Sequence, residues 1–138
     1  RQGDLRVCVA AAELTAGLRD TVPIGAQLTM SAGSAAQILL AWEEPERMQR
    51  GLQGASFNAV DLATVRRRGW AQSVGEREPG VASVSSPVQA PSGKVIAALS
   101  CSGPIERMTQ QPGRMHARAV VAAADRLSEV LRQTGSSE

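Results

Sequence analysis

Serine hydroxyls are the groups in this sequence best suited to bind a small polar molecule. Two strands are predicted over residues 82–88 and 95–102, joined by an Ala-Pro-Ser-Gly turn in which proline restricts φ and glycine permits a positive φ. Because side chains alternate along a strand, Ser100 and Ser102 share one face with Ile96 and the small Ala98. Small residues leave room and hydroxyls can bind what fills it, so we predict a polar recess on this face. The simpler interpretation is a set of half-exposed surface serines.

The pairing of these two strands decides which hydroxyls meet. A turn closed between Ala90 and Gly93 sets the register of the hairpin. The pairs that it predicts are Ser83 with Ser100, Ser85 with Ala98, and Val81 with Ser102. In this register, hydroxyls from both strands lie on one face of the sheet.

The start of a helix predicted over residues 31–42 is a second candidate site, for an anion. Alanine and leucine dominate this segment, and Ser31 or Ser34 can cap it. The first N–H groups of a helix lack partners within the helix and lie at the positive end of its dipole, which favours a carboxylate or a phosphate. The segment lacks the lysine and the spacing of a phosphate-binding P-loop. An ordinary serine-capped helix is the alternative.

Other ionisable residues carry weaker signals. Glu76 lies in a predicted loop and can face a pocket, although loop acids usually face water. The three arginines of residues 66–68 fit the cationic last turn of a helix that ends at Gly69. His116 has no nucleophile or metal partner nearby in the sequence.

Length and composition exclude several classes of protein. The 138 residues fit one domain, and a net charge of +2 is too small to indicate a nucleic-acid-binding domain. Two cysteines and one histidine cannot form a tetrahedral zinc site by themselves, and no apolar run approaches the ~20 residues of a membrane span. We therefore expect a single cytoplasmic domain over residues 1–138, with reduced Cys8 and Cys101 and without a metal, a cofactor or a membrane partner.

The secondary structure that must position these groups is mixed. Alternating or short apolar segments predict strands over residues 5–11, 27–30, 70–74, 82–88 and 95–102. Capping and composition predict helices over residues 31–42, 45–52, 58–68 and 112–132, with turns over residues 15–25. The apolar stripe predicted for the long last helix consists of Val120, Ala123, Leu127 and Leu131. Helices mixed with a clear hairpin favour an α+β fold, in which helices flank an antiparallel sheet.

Four segments resemble a known family. Residues 27–41 resemble the "LPLHATAxGKAxLA" stretch of the isocitrate lyase regulator (IclR) family of bacterial transcription factors, and residues 65–76 resemble its "IRxRGYAxSxGE" motif. Residues 80–88 are similar to "GVxxIAAPV", and residues 95–104 to "VVAALSVSGP". The four arrive in the order and spacing of the family. The chain differs from the motifs at Ser34 and Ala36, where glycines are usual, at Gln37, where lysine is usual, and at Ser83, where cysteine is common.

This resemblance implies a GAF-like effector-binding domain with a ligand pocket on one face of an antiparallel sheet. It also implies a small organic or aromatic acid as effector, and DNA binding only through an N-terminal winged helix-turn-helix domain that is absent here. A homodimer or tetramer is expected, since regulators match two-fold operator sites. The residues that it places at the effector are Leu28, Met30, Ser34, Ala35, Ser73, Ser83, Ser100 and Ser102. Glu76 joins them as the loop acid, in a pocket expected to need no lysine, arginine or metal.

Two other functions compete with a transcriptional regulator. One is a GAF-type small-molecule sensor attached to a different output. The other is a hydrolase that uses Ser100 or Ser34 with His116, but the sequence shows no nucleophile elbow and no localised base. We therefore predict a regulator and not an enzyme.

Overall fold

The computed structural model describes residues 1–12 and 22–135. Its strands are β1 (Leu5–Val7), β2 (Gln27–Thr29), β3 (Ala71–Val74), β4 (Val81–Gln89) and β5 (Val95–Pro104). Its helices are α1 (Ser34–Ala41), α2 (Pro45–Leu52), α3 (Ala59–Arg68), α4 (Ile105–Met108) and α5 (Pro112–Gly135). The predicted α+β fold, with antiparallel pairing and a long C-terminal helix, is confirmed. The turns predicted over residues 15–25 lie mostly outside the described residues.

Helix α3 begins and ends where local chemistry requires. The Asn58 side chain accepts a hydrogen bond from Asp61 N at 3.0 Å, and Asp61 Oδ2 accepts one from Asn58 N at 2.9 Å. This reciprocal capping box satisfies two backbone donors at the helix start. Gly69 then ends the helix with φ of 85°, a left-handed conformation that glycine adopts without strain.

Strand β1 is shorter than predicted. It pairs antiparallel with β2 and stops at Val7, although residues 5–11 alternate like a strand. The pairing breaks because Gly25, which donates to Cys8 O, has φ of 91° and cannot continue a regular ladder. The side chain of Val9 is consequently 79% exposed.

Strands β3, β4 and β5 form one antiparallel sheet, and the predicted register of its hairpin is wrong by two residues. Ser83 lies opposite Ser102, and Ser85 lies opposite Ser100. Val81 accordingly faces Pro104. The turn closes between Ala90 and Lys94, one residue later than predicted, and an irregularity between Val88 and Gln89 adds the second residue. A shift of two leaves every side chain on its predicted face.

Helices α1 and α5 pack on opposite faces of this sheet. On one face, Ser83 and Ser85 reach α1. On the other, Val84 packs in a buried cluster with Ala117 and Val120 of α5. A second buried cluster joins α1, α3 and β3, and its largest fully buried members are Ile38, Leu40, Leu62 and Val65.

The buried face of α5 differs from the predicted stripe. Ala117, Val120, Ala124 and Ser128 face the sheet, whereas Leu127 is 41% exposed. Small residues occupy the buried face because they allow α5 to approach the sheet closely. A Cβ added at Gly113 would lie 2.3 Å from the Trp70 ring, and Ser128 Oγ accepts a hydrogen bond from Gln89 N at 2.9 Å. A hydrophobic periodicity shows which residues of α5 are most apolar, but it contains no information on how closely the helix backbone approaches the sheet.

None of the helices in the described ranges is long and apolar enough to span a membrane. Within the same ranges, no group of three or more His, Cys, Asp and Glu side chains could hold a metal ion. Cys8 and Cys101 are half-buried free thiols.

Candidate functional site

Five serine hydroxyls form a continuous chain across the α1 face of the sheet. Ser34 Oγ lies 2.6 Å from Ser83 Oγ and 2.7 Å from Ser85 Oγ. Ser83 Oγ continues to Ser73 Oγ at 2.8 Å, and Ser85 Oγ continues to Ser100 Oγ at 2.6 Å. We call these five residues the serine network. Because a hydroxyl both donates and accepts, the network can re-pair its bonds around a bound polar group.

The strand register explains why these hydroxyls meet. Ser73, Ser83 and Ser102 lie side by side across β3, β4 and β5, and Ser85 pairs with Ser100 two residues along. Ser102 is exposed at the β5 end of the first row. Ser85, fully buried at the centre of the network, was not among the predicted site residues. Its alternation with Ser83 along β4 is the signal that could have found it.

Ser34 contacts the sheet from a position in α1 that differs from the predicted one. The residue before the helix is Gly33, with φ of 98°, and no side chain caps this end. Ser34 is therefore the first helical residue and not a cap, so its hydroxyl is available to the strands. A side chain at position 33 would meet Arg6, whose Nη2 lies 3.0 Å from the Cβ position.

A carboxylate of the chain itself occupies the start of α1. Glu76, in the loop between β3 and β4, accepts a hydrogen bond from Gly33 N through Oε1 at 3.2 Å. Burial raises the pKa of this carboxyl; the Gly33 N–H opposes the rise, and the negative charge of Asp61 adds to it. Glu76 is half-buried against the helix, so the expectation that a loop acid faces water is wrong here.

An arginine also lies at this helix start, contrary to the expectation of a site without one. Arg6 donates from Nη2 to Ala32 O at 2.9 Å and from Nε to Thr29 O at 3.0 Å. Burial lowers the pKa of its guanidinium, and the nearby charge of Arg77 lowers it further. The surroundings of Gly33 therefore combine a cation, a carboxylate and a helix N-terminus.

The remaining predicted residues lie around the serine network without bonding to it. Ala35 is half-buried in the first turn of α1. Leu28 is half-buried in β2, opposite Arg6. Met30 is 6% exposed and belongs to the same buried cluster as Ala36 and Ile38. The structure thus joins Ser34, Ser73, Ser83 and Ser100 in one hydrogen-bonded network, through Ser85, and leaves Leu28 and Met30 outside it.

Comparison with known proteins agrees with this architecture. The sequence pattern of the bacterial transcriptional regulator IclR C-terminal family matches residues 1–129. The chain belongs to the IclR family. The HTH-type transcriptional regulator BhcR of Paracoccus denitrificans is 30% identical over 139 residues, which cover 91% of this chain and 50% of that relative. The chain therefore spans about half the length of this curated relative.

Solved structures of IclR-family regulators share the fold. One from a Silicibacter species superimposes with a TM-score of 0.85 at 26% identity, covering 96% of this chain and 57% of that one. Another, from a Rhodococcus species, has a TM-score of 0.77 at 32% identity, with 94% and 54% covered. The IclR of Thermotoga maritima has a TM-score of 0.83 at 19% identity, with 96% and 59% covered. The family consists of transcriptional regulators and not of enzymes, which decides against the hydrolase hypothesis.

Proposed function

We propose that residues 1–138 are the effector-binding domain of an IclR-family regulator. In this proposal a small organic or aromatic acid binds between the start of α1 and the serine network. Its binding modulates DNA recognition by a winged helix-turn-helix domain outside this chain. The observation that carries the proposal is the network itself, since hydroxyls from one helix and three strands converge on one spot, from the fully buried Ser85 to the exposed Ser100.

A carboxylate matches this site in charge and in hydrogen bonding. The free N–H groups and the dipole at the start of α1 stabilise a negative end, and the serine hydroxyls can donate to the remaining oxygens. The contact between Glu76 and Gly33 N supports the same chemistry, because one carboxylate already uses this helix end. An effector acid would compete with Glu76 for that donor.

Entry of the acid requires the serine network to open. Ser100 is exposed, but Ser34 is buried and its Oγ contacts Ser83 and Ser85 directly, so a ligand that bonds to Ser34 must replace these hydroxyl–hydroxyl bonds. The exchange costs little if each lost bond is remade to a charged oxygen, because bonds to charged groups are the stronger ones. Because the replaced bonds join α1 to the sheet, ligand binding would change the contact between these two elements.

The test is mass spectrometry of small molecules that co-purify with the chain, followed by titration of ¹⁵N-labelled protein with the acid found. Glycolate, succinate and benzoate serve as a first panel if nothing co-purifies. We expect saturable amide shifts at Ala35, Ser83 and Ser100. Shifts that avoid all three residues, or the absence of binding to every acid, would refute the proposed site.

DNA binding and assembly belong to the same proposal. The chain alone is expected to show no sequence-specific DNA binding, because its net charge is only +2 and the proposed recognition domain lies elsewhere. Gel shifts with upstream genomic DNA test this at physiological salt. We propose a homodimer or tetramer, which light scattering at high protein concentration would show.

A further inference from the structure

The carboxylate of Glu76 lies next to the place proposed for the carboxylate of an effector acid. Its Oε1 accepts a hydrogen bond from Gly33 N at 3.2 Å, at the residue before α1. The next residue along the chain is Ser34, whose Oγ bonds to Ser83 and Ser85. Because neighbouring Cα atoms are about 3.8 Å apart, an acid that bonds to both the helix start and Ser34 would have Glu76 as its immediate neighbour.

Two ionised carboxylates are unfavourable at this position. Glu76 is half-buried and Ser34 is 1% exposed, so little water screens charges placed between them. Carboxylates that share such a site do not both ionise readily, and one of them holds a proton at a pH where each alone would have lost it. An acid that arrives as an anion therefore binds best when Glu76 is protonated.

The ionisable groups around Glu76 favour its protonated form. Strands β3 and β4 and helix α1 contain none. Asp61 and Arg68 of α3 line the same cavity as Glu76, but the guanidinium of Arg68 lies 3.6 Å over the Trp70 ring. Burial raises the pKa of Glu76, the Gly33 N–H opposes the rise, and the negative charge of Asp61 adds to it.

Two arginines lie near the start of α1. Arg6 of β1 lies beside Gly33, and its guanidinium donates to two backbone carbonyl oxygens at 2.9 and 3.0 Å. Arg77, the residue after Glu76 in the loop, donates to the Glu78 carboxylate at 3.2 Å. These cations favour the arrival of an anion, and both guanidinium groups already bond to acceptors other than Glu76.

We propose that binding of an effector acid at the start of α1 is coupled to the uptake of one proton by Glu76. In the free domain the ionised Glu76 accepts the hydrogen bond from Gly33 N. In the complex Glu76 carries the proton and donates its O–H to one oxygen of the bound carboxylate, which takes over the N–H donors. The proton comes from solvent, and the site holds one negative charge before and after binding. This inference rests on the proposed function and adds its regulation by pH.

The coupling makes the affinity for an acid depend on pH. Below the pKa of Glu76 in the free domain, both states hold the proton and the affinity is constant. Between that pKa and the higher pKa in the complex, the affinity falls about tenfold for each unit rise in pH. The domain would therefore respond to an acid together with its proton, and most strongly as pH falls.

The experiment is calorimetric titration of the 138-residue chain with sodium benzoate and sodium glycolate at pH 6. It is run in MES and in imidazole, two buffers of different ionisation enthalpy, so that the buffer dependence of the binding enthalpy gives the number of protons taken up. We expect an uptake that approaches about one proton per bound acid. Binding without proton uptake would overturn the coupling and leave the proposed function in place. Failure of both acids to bind also overturns the inference, and the amide shifts described above decide separately whether the proposed site stands.

Variants at three positions assign the proton. Glu76→Gln keeps an oxygen for Gly33 N but does not titrate, so it should lose the proton uptake and bind the acid at least about tenfold more tightly than the parent at pH 8. Glu78→Gln removes the same charge from the same loop, at a side chain that is 58% exposed, and should keep the uptake. His116→Gln removes the single histidine, which lies on α5 across the sheet, and should keep it too. Uptake that survives in Glu76→Gln, or that disappears in either control, would show that another group takes the proton.

Discussion

Ser34 and Ser83 stand 49 positions apart in the chain, and their hydroxyl oxygens lie 2.6 Å apart. This contact fastens the first residue of α1 to the central strand of the sheet. Ser34 is 1% exposed, so water does not substitute for its partner hydroxyls. A buried hydroxyl that loses its partner retains its desolvation cost. The contact therefore makes the position of α1 sensitive to whatever enters the network.

Removal of the central hydroxyl should destabilise the domain. Ser85 is fully buried and bonds to both Ser34 and Ser100. We expect Ser85→Ala to lower the free energy of unfolding by about 1–3 kcal/mol, since two hydroxyls lose a partner. Urea unfolding measures this. Ser92→Ala, in the exposed β4–β5 turn, is the matched control and should change stability by less than about 0.5 kcal/mol.

Loss of two hydroxyls on β5 should weaken effector binding. The double variant Ser100→Ala, Ser102→Ala removes the groups proposed to hold an effector acid, at a cost of about 1–3 kcal/mol in binding. Calorimetry with the acid identified by co-purification measures the change, with Ser92→Ala again as control. Binding as tight as that of the parent chain would mean that these serines are ordinary strand surface.

The carboxyl of Glu76 should make stability depend on pH. Burial raises its pKa in the folded chain, so the folded state binds a proton more readily than the unfolded state. This contribution to stability is present below the pKa of an unfolded glutamate, about 4.3, and is lost as pH rises through the raised folded pKa. Relative to the parent, Glu76→Gln should therefore gain stability between pH 4 and pH 7.

Urea unfolding at several pH values checks the behaviour of Glu76. Glu78→Gln removes the same charge from the same loop, at a residue whose side chain is 58% exposed. The pH dependence assigned to Glu76 should persist in this control variant. A Glu76→Gln profile parallel to that of the parent would contradict the assignment of this dependence to Glu76.

The close approach of α5 to the sheet should make Gly113 intolerant of a side chain. Alanine usually stabilises a helix by about 1 kcal/mol relative to glycine. At this position its Cβ would lie 2.3 Å from the Trp70 ring, so we expect Gly113→Ala to destabilise the domain by about 1–3 kcal/mol. Thermal unfolding measures it. The combination with Trp70→Leu should recover part of the loss, and strictly additive losses would argue against a clash.

Local patterns in the sequence were enough to predict most of the elements and the faces of the two hairpin strands. Asn58, Asp61 and Gly69 define α3 because capping acts over three residues and a helix end needs one left-handed glycine. Alternation placed Ser100 and Ser102 on the face that also carries Ser83 and Ser85, because strand geometry has a period of two. The family motifs then indicated the class of protein.

Only the tertiary structure decided which residues meet. The turn ending at Lys94 and the irregularity at Val88 changed the strand partners, and Ser85 emerged as the centre of the network. The contact of Glu76 with Gly33 N and the buried face of α5 were equally unreadable from the sequence. Caps and alternation follow from the geometry of a few adjacent residues. Contacts between distant segments depend on how closely whole elements pack. The small residues of α5 allow its close approach to the sheet, but they produce no hydrophobic periodicity from which that approach could be predicted.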